Sequence, residues 1–191
     1  MINLKKQKKL LIGKGNERLC YIHPFEDTKV IKITYNKNKT REQNKIEYIY
    51  YQILKKRKTD FKYIPKLHNK INTDEGLGLM YENIVNYDGT PSVSLDEALR
   101  KKIICRDKAL KLAEKLYLNF KKHGIVLGDV SMKNILYQKY TANSSKLVIV
   151  DGIGPRRNGI KFFFYIHSIK YSRYKVYKQF KILFKLIKNA Q

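Results

Sequence analysis

The chain has 191 residues, with 41 Lys plus Arg against 16 Asp plus Glu, for a formal balance of +25. A 43% hydrophobic and 12% aromatic content argues against wholesale disorder, and the length suits one domain built as two small lobes. No apolar run approaches the about 20 residues of a membrane helix, Phe162 to Ile166 being far too short.

The N-terminus, MINLKKQKKLLIGKGN, carries charge without the apolar core or small-residue cleavage site of a signal peptide. Leu10–Gly13 and Leu19–Ile22 are short apolar runs around GKGNER, a hairpin pattern. Pro24 to Asp27 makes a turn. Lys29–Thr34 follows as a strand with Ile31 and Ile33 on one face and Val30 and Lys32 on the other. Ile46, Ile49, Tyr50, Ile53 and Leu54 then recur with the spacing of an amphipathic helix. Lys66–Asn72 and Leu77–Ile84 are two more strands across a TDEG turn.

From Asn86 to Ser94 the chain is a turn-rich connector. Ser94 and Glu97 form a capping-box pattern ahead of a short helix. Asp107 is the expected cap of a longer helix with Leu110, Ala113, Leu116, Tyr117 and Phe120, ended by Gly124. A strand at Ile135–Tyr137, a turn at Asn143–Ser145 and a strand at Leu147–Val150 lead into Asp151. In the last segment Val176, Tyr177, Phe180, Leu183, Phe184 and Ile187 share one helical face, and Lys175, Lys178, Lys181, Lys185 and Lys188 the other. A helix docked through its apolar face is one reading, and a helix at an anionic lipid surface or a phosphate-rich partner is the other.

Cys20 and Cys105 lie too far apart in sequence to make a disulfide framework, and a reducing cytosol is the expected compartment. The 33 lysines against 8 arginines are what an AT-rich genome produces by codon bias. That bias does not explain why the last acidic residue is Asp151, with only basic or neutral residues after it. His23, His68 and His167 show no metal-ligand spacing with the cysteines, so no zinc is assigned, and His123 is expected to act on a helix C-terminus.

The strongest chemical signal is HGIVLGDVSMKNIL over residues 123–136, followed by VIVDGIG over 148–154. A loop presents Asp129 and Asn134, and a strand delivers Asp151 into a Gly-rich turn. Phosphoryl transfer needs a carboxylate to orient the attacking hydroxyl and hard oxygen ligands for Mg²⁺. Asp and Asn are also ordinary turn formers. Their joint spacing, with apolar strands after Asn134 and before Asp151, points to a nucleotide–metal site.

These residues resemble a protein-kinase-like pattern. GDVSMKN is similar to the kinase catalytic loop, with Asp129 at the base position and Asn134 at the metal position. DGIG is similar to the DFG element, with Asp151 as metal ligand, and Lys32 occupies the place of the strand lysine that pairs with phosphates. Within that group the chain most resembles the YrbL family of PhoP regulatory network proteins. The likeness is carried by LIGKGNERLCYIHP, KVIKI, EYIYYQIL, IPKLHNKINTDEGLGLMYENI, DGTPSVSL, and KNIL followed by DGIG, which together cover almost the full length. Some members of that family lack an Asp at the catalytic position, whereas this sequence keeps it.

The resemblance implies an α+β, kinase-like domain over 1–191: an antiparallel-sheet lobe with one helix (1–84), a connector (85–93) and a reduced, mainly helical lobe (94–191). It implies ATP and Mg²⁺ as ligands, covered by Gly13 and Gly15. Glu82, Asn83 and Ile84 would form the hinge that meets a purine edge, and Glu47 would pair with Lys32, Glu42 being the rival. A monomeric, cytoplasmic phosphotransferase is expected, its acceptor a small molecule, a glycan precursor or a protein.

Departures from the general kinase pattern keep a second reading open. Only two loop glycines are present, Leu127 and Gly128 stand before the Asp, Gly152 replaces the Phe of DFG, and 40 residues follow Asp151 without an activation segment. A pseudokinase acting as a regulatory binding module fits those losses. A charge-driven nucleic-acid binder comes last, because no recognition motif is present.

Overall fold

The computed structural model describes residues 2–15, 17–35, 43–157 and 159–190. A five-stranded antiparallel sheet forms the first half: β1 (Leu11–Lys14), β2 (Arg18–His23), β3 (Glu26–Thr34), β4 (Leu67–Thr73) and β5 (Gly76–Glu82), in the order β1-β2-β3-β5-β4. Helix α1 (Gln43–Lys56) connects β3 to β4. Two faces of β3 serve two different cores, as its alternation predicts. Ile31 and Ile33 pack with Leu4 and Tyr21 on one side of the sheet. Val30 joins Tyr50, Tyr51 and Leu54 of α1 on the other.

The first residues, for which the sequence offered no element, close the outer side of that sheet. Ile2 bridges Thr73 in parallel, and the Leu4 N–H donates to Asp74 Oδ1 at 2.6 Å, which seats the fully buried Leu4 against the sheet.

A three-stranded sheet, β6 (Val93–Ser94), β7 (Ile135–Lys139) and β8 (Ser145–Ile149), opens the second half. Around it lie α2 (Leu95–Arg100), α3 (Arg106–His123), α4 (Ile160–His167) and α5 (Ile169–Lys188). The Ser94 side chain accepts from the Glu97 N–H, as the capping pattern predicts. Asp107 does not cap α3. Cys105 holds that position without a side-chain bond, and Asp107 sits in the first turn, where its charge still suits the helix dipole. Gly124 ends α3 in the left-handed conformation, with φ 65°. Helix α4 and strand β6 were not anticipated from sequence.

Helix α5 docks on α3 through Val176, Phe180, Leu183 and Ile187, all buried, with Phe180 against Phe120 and Tyr117. Tyr177, expected on the same face, is exposed. One apolar cluster runs from Val30 through α1, α3 and β8 to Ile187 and so belongs to both halves. Among the described residues no helix is long and apolar enough to cross a membrane.

Candidate functional site

A cleft of about 1490 Å³ lies where the first sheet faces the loops of the second half. One wall is the β1–β2 hairpin. Gly13 pairs with Cys20, the Gly15 N–H donates to the Arg18 carbonyl at 2.8 Å, and the Tyr35 hydroxyl donates to the Gly15 carbonyl at 3.0 Å. Behind the hairpin, β3 places Lys32 beside Cys20 and Leu79 in the sheet register. Lys32 is only 8% exposed and Glu47 of α1 only 2%.

The opposite wall is assembled by backbone hydrogen bonds between two loops. Gly128 N–H donates to the Gly152 carbonyl at 2.7 Å, and Gly154 N–H to the Val126 carbonyl at 2.9 Å. Val150 N–H donates to the Asn134 carbonyl at 2.9 Å. These bonds bring Asp129, Asn134 and Asp151 to one rim of the cleft.

The glycines of DGIG are required by this crossing. Gly154 has φ +89°, and a Cβ there would lie 2.9 Å from the Tyr50 ring. Gly152 has φ +74° and lies against the Asp129 backbone. Tyr50 itself reaches over from α1, its hydroxyl donating to the Gly124 carbonyl at 3.2 Å and accepting from the Val126 N–H at 2.9 Å. From behind, the Gln179 amide of α5 accepts from the Leu127 N–H at 3.1 Å and donates to the Leu127 carbonyl.

The charges form a network across the cleft. Lys32 Nζ lies 3.6 Å from Asp151 Oδ1 and donates to the Val150 carbonyl. Arg18 joins Asp151 to Glu47, with Nη1 at 2.7 Å from Glu47 Oε2 and Nη2 bonded to Asp151 Oδ1. The Tyr81 hydroxyl donates to Glu47 Oε1 at 2.7 Å. Arg156 Nη2 is 2.8 Å from Asp129 Oδ1, both side chains being about half exposed.

Burial alone would raise the Asp151 carboxyl, but Lys32 and Arg18 outweigh it and hold the group down at about 2. Burial likewise works against the Arg18 charge, and Glu47 and Asp151 more than restore it, so the guanidinium is held more firmly protonated than usual. Burial, then Glu47, pushes the Tyr81 phenol well above its ordinary value, which keeps it a neutral donor.

Every site residue named from sequence within the described part lines this one cleft: Gly13, Gly15, Lys32, Glu47, Glu82, Asn83, Ile84, Asp129, Asn134 and Asp151. Glu42 lies outside the described residues. The expected Lys32–Glu47 pair is not what the structure holds: Glu47 goes to Arg18 and Tyr81, and Lys32 goes to Asp151. A longer, forked guanidinium can reach two carboxylates at once where an ammonium serves one point. Two hinge donors are already engaged, Glu82 N–H with the Lys66 carbonyl at 3.0 Å and Asn83 N–H with the Thr28 carbonyl at 2.7 Å. Arg18 and Arg156 were missed from sequence. The available signal was their identity, arginine in a chain whose bias makes lysine, at positions flanking GKGN and DGIGP.

The family model for the PhoP regulatory network protein YrbL matches residues 2–188. The protein YrbL of Escherichia coli (strain K12) is 32% identical over 157 residues, which is 81% of this chain and 74% of the relative. YrbL of Shigella flexneri matches to the same extent. The chain belongs to the YrbL family.

Proposed function

We propose that this YrbL-family chain has a kinase-like arrangement, binds ATP with Mg²⁺ in the cleft, and transfers the γ-phosphoryl group to an acceptor hydroxyl. The observation that carries this reading is the convergence of Lys32, Asp129, Asn134 and Asp151, from three separate segments, on one cleft between a sheet and a helical half. Lys32 would anchor phosphates. Gly13 and Gly15 would let the hairpin backbone approach them. Asp129 would orient the acceptor and take its proton. Ile84 and the neighbouring carbonyls would serve the purine, the Glu82 and Asn83 N–H groups being engaged within the chain.

Asn134 and Asp151 supply an amide oxygen and a carboxylate, hard donors of the kind Mg²⁺ takes. Among the described residues no group of three or more His, Cys, Asp or Glu could hold a metal on its own. An ion held by these two would be completed by water and phosphate oxygens and would neutralise phosphate charge. Arg18 stands where a phosphate-bearing ligand would compete with Asp151 for it. The acceptor, whether small molecule, glycan precursor or protein, is left open by this reading.

One observation favours the alternative, a regulatory module that binds nucleotide or a partner without turnover. Both carboxylates of the rim are already paired with arginines of the chain, Asp129 with Arg156 and Asp151 with Arg18.

The two readings separate in one experiment. ATP plus Mg²⁺ should raise the melting temperature under the first and under the nucleotide-binding form of the second. Only under the first does radiolabelled γ-phosphate move to water or to an offered acceptor. Asp129→Asn should then lower that rate by about 100-fold or more while leaving the thermal shift in place. The absence of any thermal shift with ATP and Mg²⁺ would end the first reading and the nucleotide-binding form of the second.

A further inference from the structure

We propose that the corner formed by α4 and the start of α5 is a docking surface for an anionic lipid bilayer. Helix α4 buries Phe162 and Tyr165 and turns a second apolar stripe outward. Ile160, Phe163 and Phe164 are 79%, 56% and 45% exposed, and with His167 they recur at the spacing of one helical face. The stripe is continuous with α5 through a ring contact. Within α4 Phe163 lies 4.3 Å from His167, and Phe164 reaches α5, 5.5 Å from Tyr171, between centroids.

Along α5 the same outward face continues as Tyr171, Tyr174, Lys178, Lys181 and Lys185, with the Lys178 ammonium over the Tyr174 ring. Lys161 and Lys170 flank the aromatic end, and no acidic residue follows Asp151. The buried stripe of α5, Val176, Phe180, Leu183 and Ile187, is fully used against α3, so this second face is not part of the core.

Charge selects the occupant. A second copy of a chain with a +25 balance is repelled. A run of cations spread along a 20-residue helix, without one acid, matches an extended anionic plane. Nucleic acid offers an extended anion too, but gives no place to the exposed Ile160 and Phe163 side chains. An interfacial bilayer takes both the apolar stripe, at the depth of the headgroups, and the lysines beside it.

The test is co-sedimentation of the full chain with large unilamellar vesicles of phosphatidylcholine alone or with phosphatidylglycerol. Binding is expected only with the anionic lipid and should weaken at high salt. Phe163→Ser with Phe164→Ser should weaken it by at least about tenfold, and Lys178→Glu with Lys181→Glu by a similar factor. Circular dichroism spectra should show both variants folded as the parent is, since all four side chains are exposed and outside the core.

The proposal is overturned if the protein does not sediment with anionic vesicles or if the serine pair binds them as well as the parent. It is also overturned if the chain binds an oligonucleotide instead, or self-associates through the same residues in analytical ultracentrifugation. None of these readouts depends on ATP binding or turnover, so this inference and the proposed activity fail independently.

Discussion

Asp151 is a node of the site's electrostatics, because Lys32 and Arg18 both converge on it. Its carboxyl is held near 2 against an ordinary 3.8, so its contribution to stability is complete above about pH 4 and is lost as pH falls from there towards 2. Melting curves of the parent and Asp151→Asn should therefore differ by a constant amount from pH 5 to 7 and draw together as pH falls through about 2. At Gly154, Ala is expected to cost roughly 1–3 kcal/mol in urea unfolding, from left-handed strain and the Tyr50 ring together. Asp129, Asn134 and Asp151, which line the cleft, stood out by their spacing around apolar strands, whereas Lys32 and Glu47 were singled out by the family resemblance, which mispaired them. Arg18 was not legible, since its meaning lies in a partner 133 residues away, and no local pattern encodes that distance.

The strands and α1 were legible because period-2 and period-3.6 patterns are set by burial on one face. Helix α4 was not, because FFFYI is apolar in every direction and so carries no period to read. Strand β6 has two residues, too few to show any alternation. Helix α5 was expected with its stripe nearly right, but its polar contribution, Gln179 on the Leu127 backbone, was invisible. Gln179→Ala would leave a buried N–H and carbonyl unpaired, at about 1–3 kcal/mol each. If Asp129 works from that loop, the variant should lose phosphoryl transfer while its ATP-induced thermal shift is kept. Equal loss of both would mean that Gln179 only holds the fold.

At the scale of the whole molecule, the division into two lobes does not divide the core. The cluster from Val30 to Ile187 is continuous, and Tyr50 bonds the first half to the loop at 124–126 of the second. Urea unfolding is therefore expected to be one transition, superimposable by tyrosine fluorescence and far-ultraviolet circular dichroism. Two separated transitions would show that the halves fold apart. The two thiols give this architecture an intrinsic reporter. Cys20 sits mid-sheet inside the cleft, where burial pushes its thiol up despite Lys32 and Arg18, while Cys105 is exposed at the start of α3. A maleimide should consume Cys105 quickly and Cys20 slowly. Any small molecule that occupies the space above Cys20 should slow the second alkylation further, so that ligand screening needs neither a label nor a known reaction.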